Sequence, residues 1–253
     1  MLGVPYLAFH NLSILISSIM GFTYVIEHME DDDDTVRAIP PWVELEYTVG
    51  PHSPSIYHTS DPAEQHMRTL AGPSSAVHFT HLTSASRESL SAVFAPAGGL
   101  ASAACHQEGV LDLMARLLGP DAKSKICLLD PKAENVLAPE DGDGRFEWFL
   151  FGGILGDDPP RDRTSELRVL GFPTRHLGPV QMTTDTALGV TKLVVQDKIP
   201  LDKIPYIDLP TITFNAKESV EMPFRYVAEG SEPKLPPGMR ELLHEDLNKS
   251  FDF

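Results

Sequence analysis

The sequence predicts an α/β protein, a mainly parallel sheet flanked by helices, and three observations carry that prediction. Short apolar or β-branched runs (TYVIE, VHFTHL, KICLL, FEWFLF) recur along the chain, each followed by a polar, Pro- or Gly-containing break. Between them lie stretches of helical character that open on Pro, Thr or Asp and close on Gly. Apolar residues make up 42% of the 253 and charged residues 22%, so a sizeable core can be buried and disorder is not the default.

Residues 1–22 are apolar and hold no Lys, Arg, Asp or Glu. They lack the basic flank of a secretory signal and the uninterrupted length of a membrane span, so they read as an extension, with Met20 as an alternative start. Thr23–Glu27 is the first strand. Pro40 and Pro41 open a helix that begins WVELEY (42–47); residues 48–63, rich in Pro, Ser and His, read as an inserted loop, after which 64–72 resumes the helix and stops at Gly72. VHFTHL (77–82) is a strand whose alternation puts His78 and His81 on opposite faces. From Ser84 to about Cys105 the composition is soft, Ala, Ser and Gly, and no element is assigned. A helix over 108–118 ends at Gly119. Two buried-type strands follow, 125–129 and 146–151, then a helix (160–170), a strand (172–177), a loop (178–183) and a helix (184–196). The prolines of 197–253 leave room for short strands and a last helix near 237–248, wrapped over the domain surface. The organisation is therefore an extension (1–22), one domain (23–226) carrying the inserted loop 48–63, and a C-terminal tail with a short helix (227–253).

The net charge of −16 argues against a surface that binds nucleic acid by phosphate neutralisation, and favours a basic partner. Two cysteines, Cys105 and Cys127, imply no disulfide framework and fit a reducing compartment. The ten histidines are scattered, with no CxxC or HExxH, so no metal is expected. No GxSxG elbow is present, and Cys105-His106 in the soft segment is a poor nucleophilic pair.

The chemistry concentrates in three strand-end loops: CLLDP (127–131), FGGILGDDPPRDRT (151–164) and LGPVQMTTDTA (177–187). In a parallel sheet they emerge on one edge and can form one cleft. Gly152, Gly153 and Gly156 allow close approach of a ligand to the backbone, although the G-G-x-x-G spacing is neither a dinucleotide fingerprint nor a P-loop. By pattern alone a structural turn and a ligand loop both stay open. Thr183 or Thr184 can cap the helix that begins at Asp185, whose own place in the first turn suits a helix-terminus role.

Taken in order with VIEHME (25–30) and EMPFRY (221–226), these motifs resemble the fungal SPOUT-class protein arginine methyltransferases, which modify an arginine of a small-subunit ribosomal protein. The resemblance spans about 23–250; residues 1–19 and 48–63 depart from it. It implies a C-terminal deep trefoil knot, an exception to unknotted connection rules, and S-adenosylmethionine held bent by the knot loops. On this chain those loops are Leu128, Leu129 and Asp130; Phe151, Gly152, Gly153, Ile154, Leu155 and Gly156; and Leu177, Gly178, Gln181, Met182, Thr183 and Thr184. The resemblance further implies a basic protein substrate, no direct nucleic-acid or membrane contact, a monomer or weak dimer, and a cytoplasmic location. SPOUT enzymes more broadly methylate tRNA or rRNA, which is the alternative reading.

A guanidinium acceptor, with a pKa above about 12 and a delocalised lone pair, needs carboxylates that orient it and take its proton. Asp157 and Asp162 after the glycine loop, and Glu27 at the end of the first strand, are the candidate catalytic residues, with Asp158 beside them. Each has a structural alternative: Asp157 as a helix cap, Asp162 as a partner of Arg161 or Arg163, and Glu27, with His28, as a strand end. Phe224 and Tyr226 fit either the core or an adenine contact.

Overall fold

The computed structural model describes residues 21–29, 41–47, 65–94, 99–153, 162 and 164–249. At its centre is a six-stranded sheet of order β3-β2-β1-β5-β4-β6, with β1 Thr23–His28, β2 Ala76–Thr80, β3 Ser102–Cys105, β4 Ile126–Leu129, β5 Trp148–Gly153 and β6 Thr174–Arg175. Every pairing in it is parallel. Side-chain alternation along the strands divides the core in two. Tyr24, Ile26, Phe79, Phe149 and Phe151 face α1 (Pro41–Tyr47), α2 (His66–Ala71) and α6 (Thr184–Val195). Val25, Ile126, Leu128, Trp148 and Leu150 face α4 (Val110–Leu117) and α5 (Thr164–Arg168). Both faces of the sheet are therefore covered, which explains why its central strands read as continuous apolar runs.

Within the segment expected to be soft, the described residues form a helix and a strand. Thr83 accepts a hydrogen bond from the Ser86 amide (3.2 Å) and caps α3 (Ser84–Val93), and β3 adds to the sheet edge beside β2. Its small, polar residues hid a helix that buries only Ser86 and Leu90. The helix expected over 160–170 is the short α5, and the strand expected over 172–177 is the two residues of β6 with a bridge at His176.

Beyond α6 the chain makes a small antiparallel sheet of β7 (Tyr206–Asp208), β10 (Arg225–Glu229) and β11 (Glu232–Pro233), the hairpin β8 (Thr211–Asn215) and β9 (Glu218–Glu221), and the last helix α7 (Met239–Lys249). The boundary drawn at 226/227 runs through β10. Phe224 and Tyr226 are core residues, buried with Ile212 and Met222. Residues 1–20 and the inserted loop 48–63 lie outside the described residues. Phe22 packs edge-on against Phe149 with ring centroids 5.3 Å apart, so the folded unit includes the residues just before β1.

The surroundings of β6 position the site. On one side its amides and carbonyls meet β4: Leu128 donates to Pro173 O (2.8 Å) and Asp130 to Arg175 O (2.9 Å). On the other side it meets the segment that follows β4, through Leu137 N–H to His176 O and His176 N–H to Asn135 O, both 2.9 Å. The 173–176 stretch is thus bracketed by 128–137. Arg175 fastens it by two 2.9 Å hydrogen bonds to buried Asp141, and its guanidinium lies 5.4 Å from the Phe146 ring centroid.

Candidate active site

Described residues of the three strand-end motifs meet around a cavity of about 240 Å³ at the carboxyl edge of β4, β5 and β6. β4 and its continuation contribute Leu129, Asp130 and Pro131; β5 contributes Phe151 and Gly152; the opposite wall is Leu177–Met182 with Thr184 and Ala187 of α6. Thr164 closes it at the start of α5. Of the residues expected to hold a cofactor, Leu129, Asp130, Phe151, Gly152, Leu177, Gly178, Gln181, Met182 and Thr184 meet here.

Leu128, Gly153 and Thr183 stand elsewhere. Leu128 is fully buried on the opposite face, among the residues beneath α4. Thr183 precedes α6 and spends its hydroxyl on Thr186 (2.8 Å). Gly153 faces β1: a Cβ there would lie 2.9 Å from the Tyr47 hydroxyl and 3.0 Å from Glu27 O. Strand packing therefore requires that glycine. Ile154, Leu155, Gly156, Asp157 and Asp158 lie outside the described residues. Pro131, Pro179 and Val180 escaped notice although they sit inside the recognised motifs. Thr164 and Ala187 are the last residues of two of those motifs, and Ala187 lies one helical turn beyond Thr184.

The wall 177–182 is held by its neighbours. Gly178 has φ 105°, a conformation that favours glycine, and donates its N–H to His176 Nδ1 (3.1 Å). Gln181 O accepts the Arg225 N–H (2.8 Å), which ties the wall to β10. Arg225 in turn makes two hydrogen bonds to Asp208, at 2.5 and 2.7 Å, and stacks over Tyr206. A second cavity, about 500 Å³, lies behind the same wall between Val136–Pro139 and Pro200–Tyr206; it receives neither β4 nor β5, so the first is the place where the three loops act together.

The acidic residues near the cleft are largely engaged. Asp130 accepts two hydrogen bonds from Arg168 (2.5 and 2.7 Å) and the Lys132 amide (2.9 Å). Burial raises its carboxyl, but Arg168 and that amide outweigh burial and hold it below the usual range. Asp162, expected near Arg161 or Arg163, pairs with Arg168 (3.2 Å) and Lys132 (2.6 Å), which hold it low as well. Glu27 is buried and is not on the cavity wall: it accepts the Val110 N–H (2.9 Å) at the start of α4 and the Thr80 hydroxyl. Burial pushes its carboxyl up against the opposing pull of those two donors and His81. The carboxylate of Asp185, in the first turn of α6, takes a hydrogen bond from buried His66 (2.9 Å).

Nucleophilic cysteine chemistry finds little footing. Burial pushes the Cys105 thiol up to about 11, against the lowering influence of Ser91 and Arg87, which is unlike an activated nucleophile. Among the described residues no group of three or more His, Cys, Asp or Glu is placed to hold a metal ion. Among them, too, no helix is long and apolar enough to cross a membrane.

Comparison with known proteins agrees with this architecture. Residues 23–250 match the family described as protein arginine N-methyltransferase SFM1-like. Protein arginine N-methyltransferase SFM1 of Saccharomyces cerevisiae is 49% identical over 133 residues, an alignment that covers 51% of this chain and 62% of the yeast protein. The crystal structure of the yeast arginine methyltransferase SFM1 complexed with SAH superposes with a TM-score of 0.67 at 32% identity, covering 94% of this chain and 100% of that one. The same yeast enzyme complexed with SAM gives 0.69 at 32% identity, covering 96% and 99%.

Proposed function

The chain belongs to the SFM1-like protein arginine N-methyltransferase family, and we propose that it transfers a methyl group from S-adenosylmethionine to an arginine of a basic, small-subunit ribosomal protein in the cytoplasm. The observation that carries this reading is the convergence of three separate loops on one cavity, in a fold whose solved relatives are complexed with SAM and SAH. The donor set suits such a cofactor. Leu129, Phe151, Leu177 and Met182 offer apolar surface for a purine, while Gln181, Thr184 and the turn around Gly178 offer hydrogen-bonding groups. Support for a knotted chain is the bracketing of 173–176 by 128–137, which is the arrangement a threaded strand requires.

When bound, S-adenosylmethionine supplies a methyl carbon made electrophilic by its sulfonium. The protein's own part is to hold the acceptor nitrogen in line with that carbon and to exclude water. Arg168 keeps Asp130 in place under the cleft, and Arg225 keeps the 177–182 wall closed against it. Because Glu27 is engaged by Thr80 and Val110, and Asp162 by Arg168 and Lys132, we assign the role of orienting the acceptor guanidinium and taking its proton to the adjacent pair Asp157 and Asp158. The test is incubation of the purified protein with labelled S-adenosylmethionine and separate ribosomal protein and RNA fractions. Label in methylarginine of a small-subunit protein is expected; label in RNA alone would overturn the reading in favour of an RNA methyltransferase.

A further inference from the structure

Asp185 has no part in the mechanism so far, yet it is 1% exposed in the first turn of a twelve-residue helix. Its Oδ2 receives the Nε2–H of His66, the first residue of α2. Its Oδ1 is buried and has no hydrogen-bond partner among the described residues. A half-satisfied buried carboxylate costs stability, so its retention asks for a use. Residues on either side of it, Met182, Thr184 and Ala187, line the cofactor cavity, whereas Asp185 does not. It can therefore influence the cavity by charge without touching what the cavity holds.

The charges around it sharpen the point. Asp130, the one carboxylate on the described cavity wall, is paired with Arg168, and Asp162 with Arg168 and Lys132. Two buried carboxyls, Asp185 and Glu46, act on the phenol of Tyr226. Tyr226 of β10, whose phenol is pushed up by burial and then by Asp185 and Glu46, carries no positive charge; Glu46 of α1 adds a second buried carboxyl. Among the described residues His66 is the cationisable side chain against Asp185, and no Lys or Arg pairs with it. The exposed amides of the first turn of α6 favour an anion at this position.

We propose that Asp185, clamped by His66, is the charge-selecting group of the cofactor site, a buried carboxylate whose field favours the cationic sulfonium of the methyl donor over the neutral thioether left behind. The inference rests on the methyltransferase reading above. In that reaction the acceptor nitrogen forms the new C–N bond with its lone pair, the electrons of the broken S–C bond stay on sulfur, and the acceptor proton leaves to a carboxylate. The positive charge on sulfur is thereby lost, and with it the attraction to Asp185. The same group would thus favour loading of donor and release of product. Because Asp185 acts across the cavity wall, it is a positioning residue in the electrostatic sense and not a catalytic one.

The experiment is isothermal titration of the full chain at pH 8 with S-adenosylmethionine, S-adenosylhomocysteine and sinefungin, in which a carbon replaces the sulfur and an ammonium replaces the methyl group, so that a positive charge is kept one bond from the sulfonium position. Asp185→Asn should weaken S-adenosylmethionine about tenfold, equivalent to about 1.4 kcal/mol, and S-adenosylhomocysteine less than twofold. His66→Gln, which keeps a donor for Oδ2 and leaves the carboxylate, should preserve the wild-type ratio of the two affinities. Equal losses for both ligands in Asp185→Asn, or no loss for either, overturn the proposal. Should that variant fail to fold, the wild type decides: sinefungin bound as tightly as the sulfonium supports selection by charge, and sinefungin bound no better than the thioether overturns it. A wild type that binds none of the three instead overturns the methyltransferase reading itself.

Discussion

Glu27, a catalytic candidate by its place in the sequence, is held in the structure by contacts between elements. It ends the first strand beside the cleft, but its carboxylate is turned to the start of α4, where Gly109 leaves room for it and Val110 donates to it. Since its folded pKa is raised above the ordinary glutamate value of about 4.3, its contribution to stability is fully present below that pH and lost as pH rises through the folded value. Glu27→Gln keeps an acceptor for Val110 without a charge to bury. The variant is expected to gain stability relative to wild type between pH 4 and pH 8, measured as the difference in urea unfolding free energy across that range. A difference independent of pH would show that Glu27 is not the titrating group. Gly153 makes a second residue-scale case. Gly153→Ala places its methyl against Tyr47 and the β1 backbone, so a loss of about 1–3 kcal/mol in unfolding free energy is expected, read by chemical denaturation.

Among the elements, α3 is the one that composition concealed. Its Ala- and Ser-rich sequence has weak amphipathicity, yet Thr83 supplies a cap that a local reading can recognise in retrospect: Thr, then a helix-compatible run, then buried Leu90. Thr83→Ala leaves the Ser86 amide without its acceptor and should cost about 1 kcal/mol, detectable in the same unfolding experiment. An unchanged midpoint would mean that packing of β3 and Leu90 alone maintains the helix. The C-terminal strands show the converse. Their prolines announced short elements correctly, but only the pairing of Arg225 with Gln181 explains why EMPFRY accompanies the cleft loops: it is the strap across the 177–182 wall.

For the whole molecule, the charge of −16 bears on the partner more than on the cofactor. Many of its acids are locally paired with Lys or Arg, as Asp130, Asp141, Asp162 and Asp208 are, so the field that reaches a basic substrate comes from the unpaired surplus. Exposed charges are screened over about 10 Å at 0.1 M salt. If the proposed basic protein is the substrate, raising salt from 50 to 300 mM should weaken its binding severalfold by fluorescence anisotropy. Salt-insensitive binding would locate recognition in shape and apolar contact instead.

The sequence by itself determined the α/β class, the identity of the three loops and the positions of most helices and strands. These depend on periodicity, caps and turn residues within a few positions of one another, which a single chain displays openly. Only the tertiary structure decided which side chains enter the cleft. Gly152 reaches it while Gly153 packs on β1, and Leu129 reaches it while Leu128 lies under α4, the latter pair because successive strand residues point to opposite faces. It also decided the partners of the buried acids: Glu27 meets Val110 across 83 positions and Asp185 meets His66 across 119. Such pairings follow from the order in which strands are laid into the sheet and from the course of β6 between β4 and 135–137, a long-range arrangement that local sequence spacing does not encode.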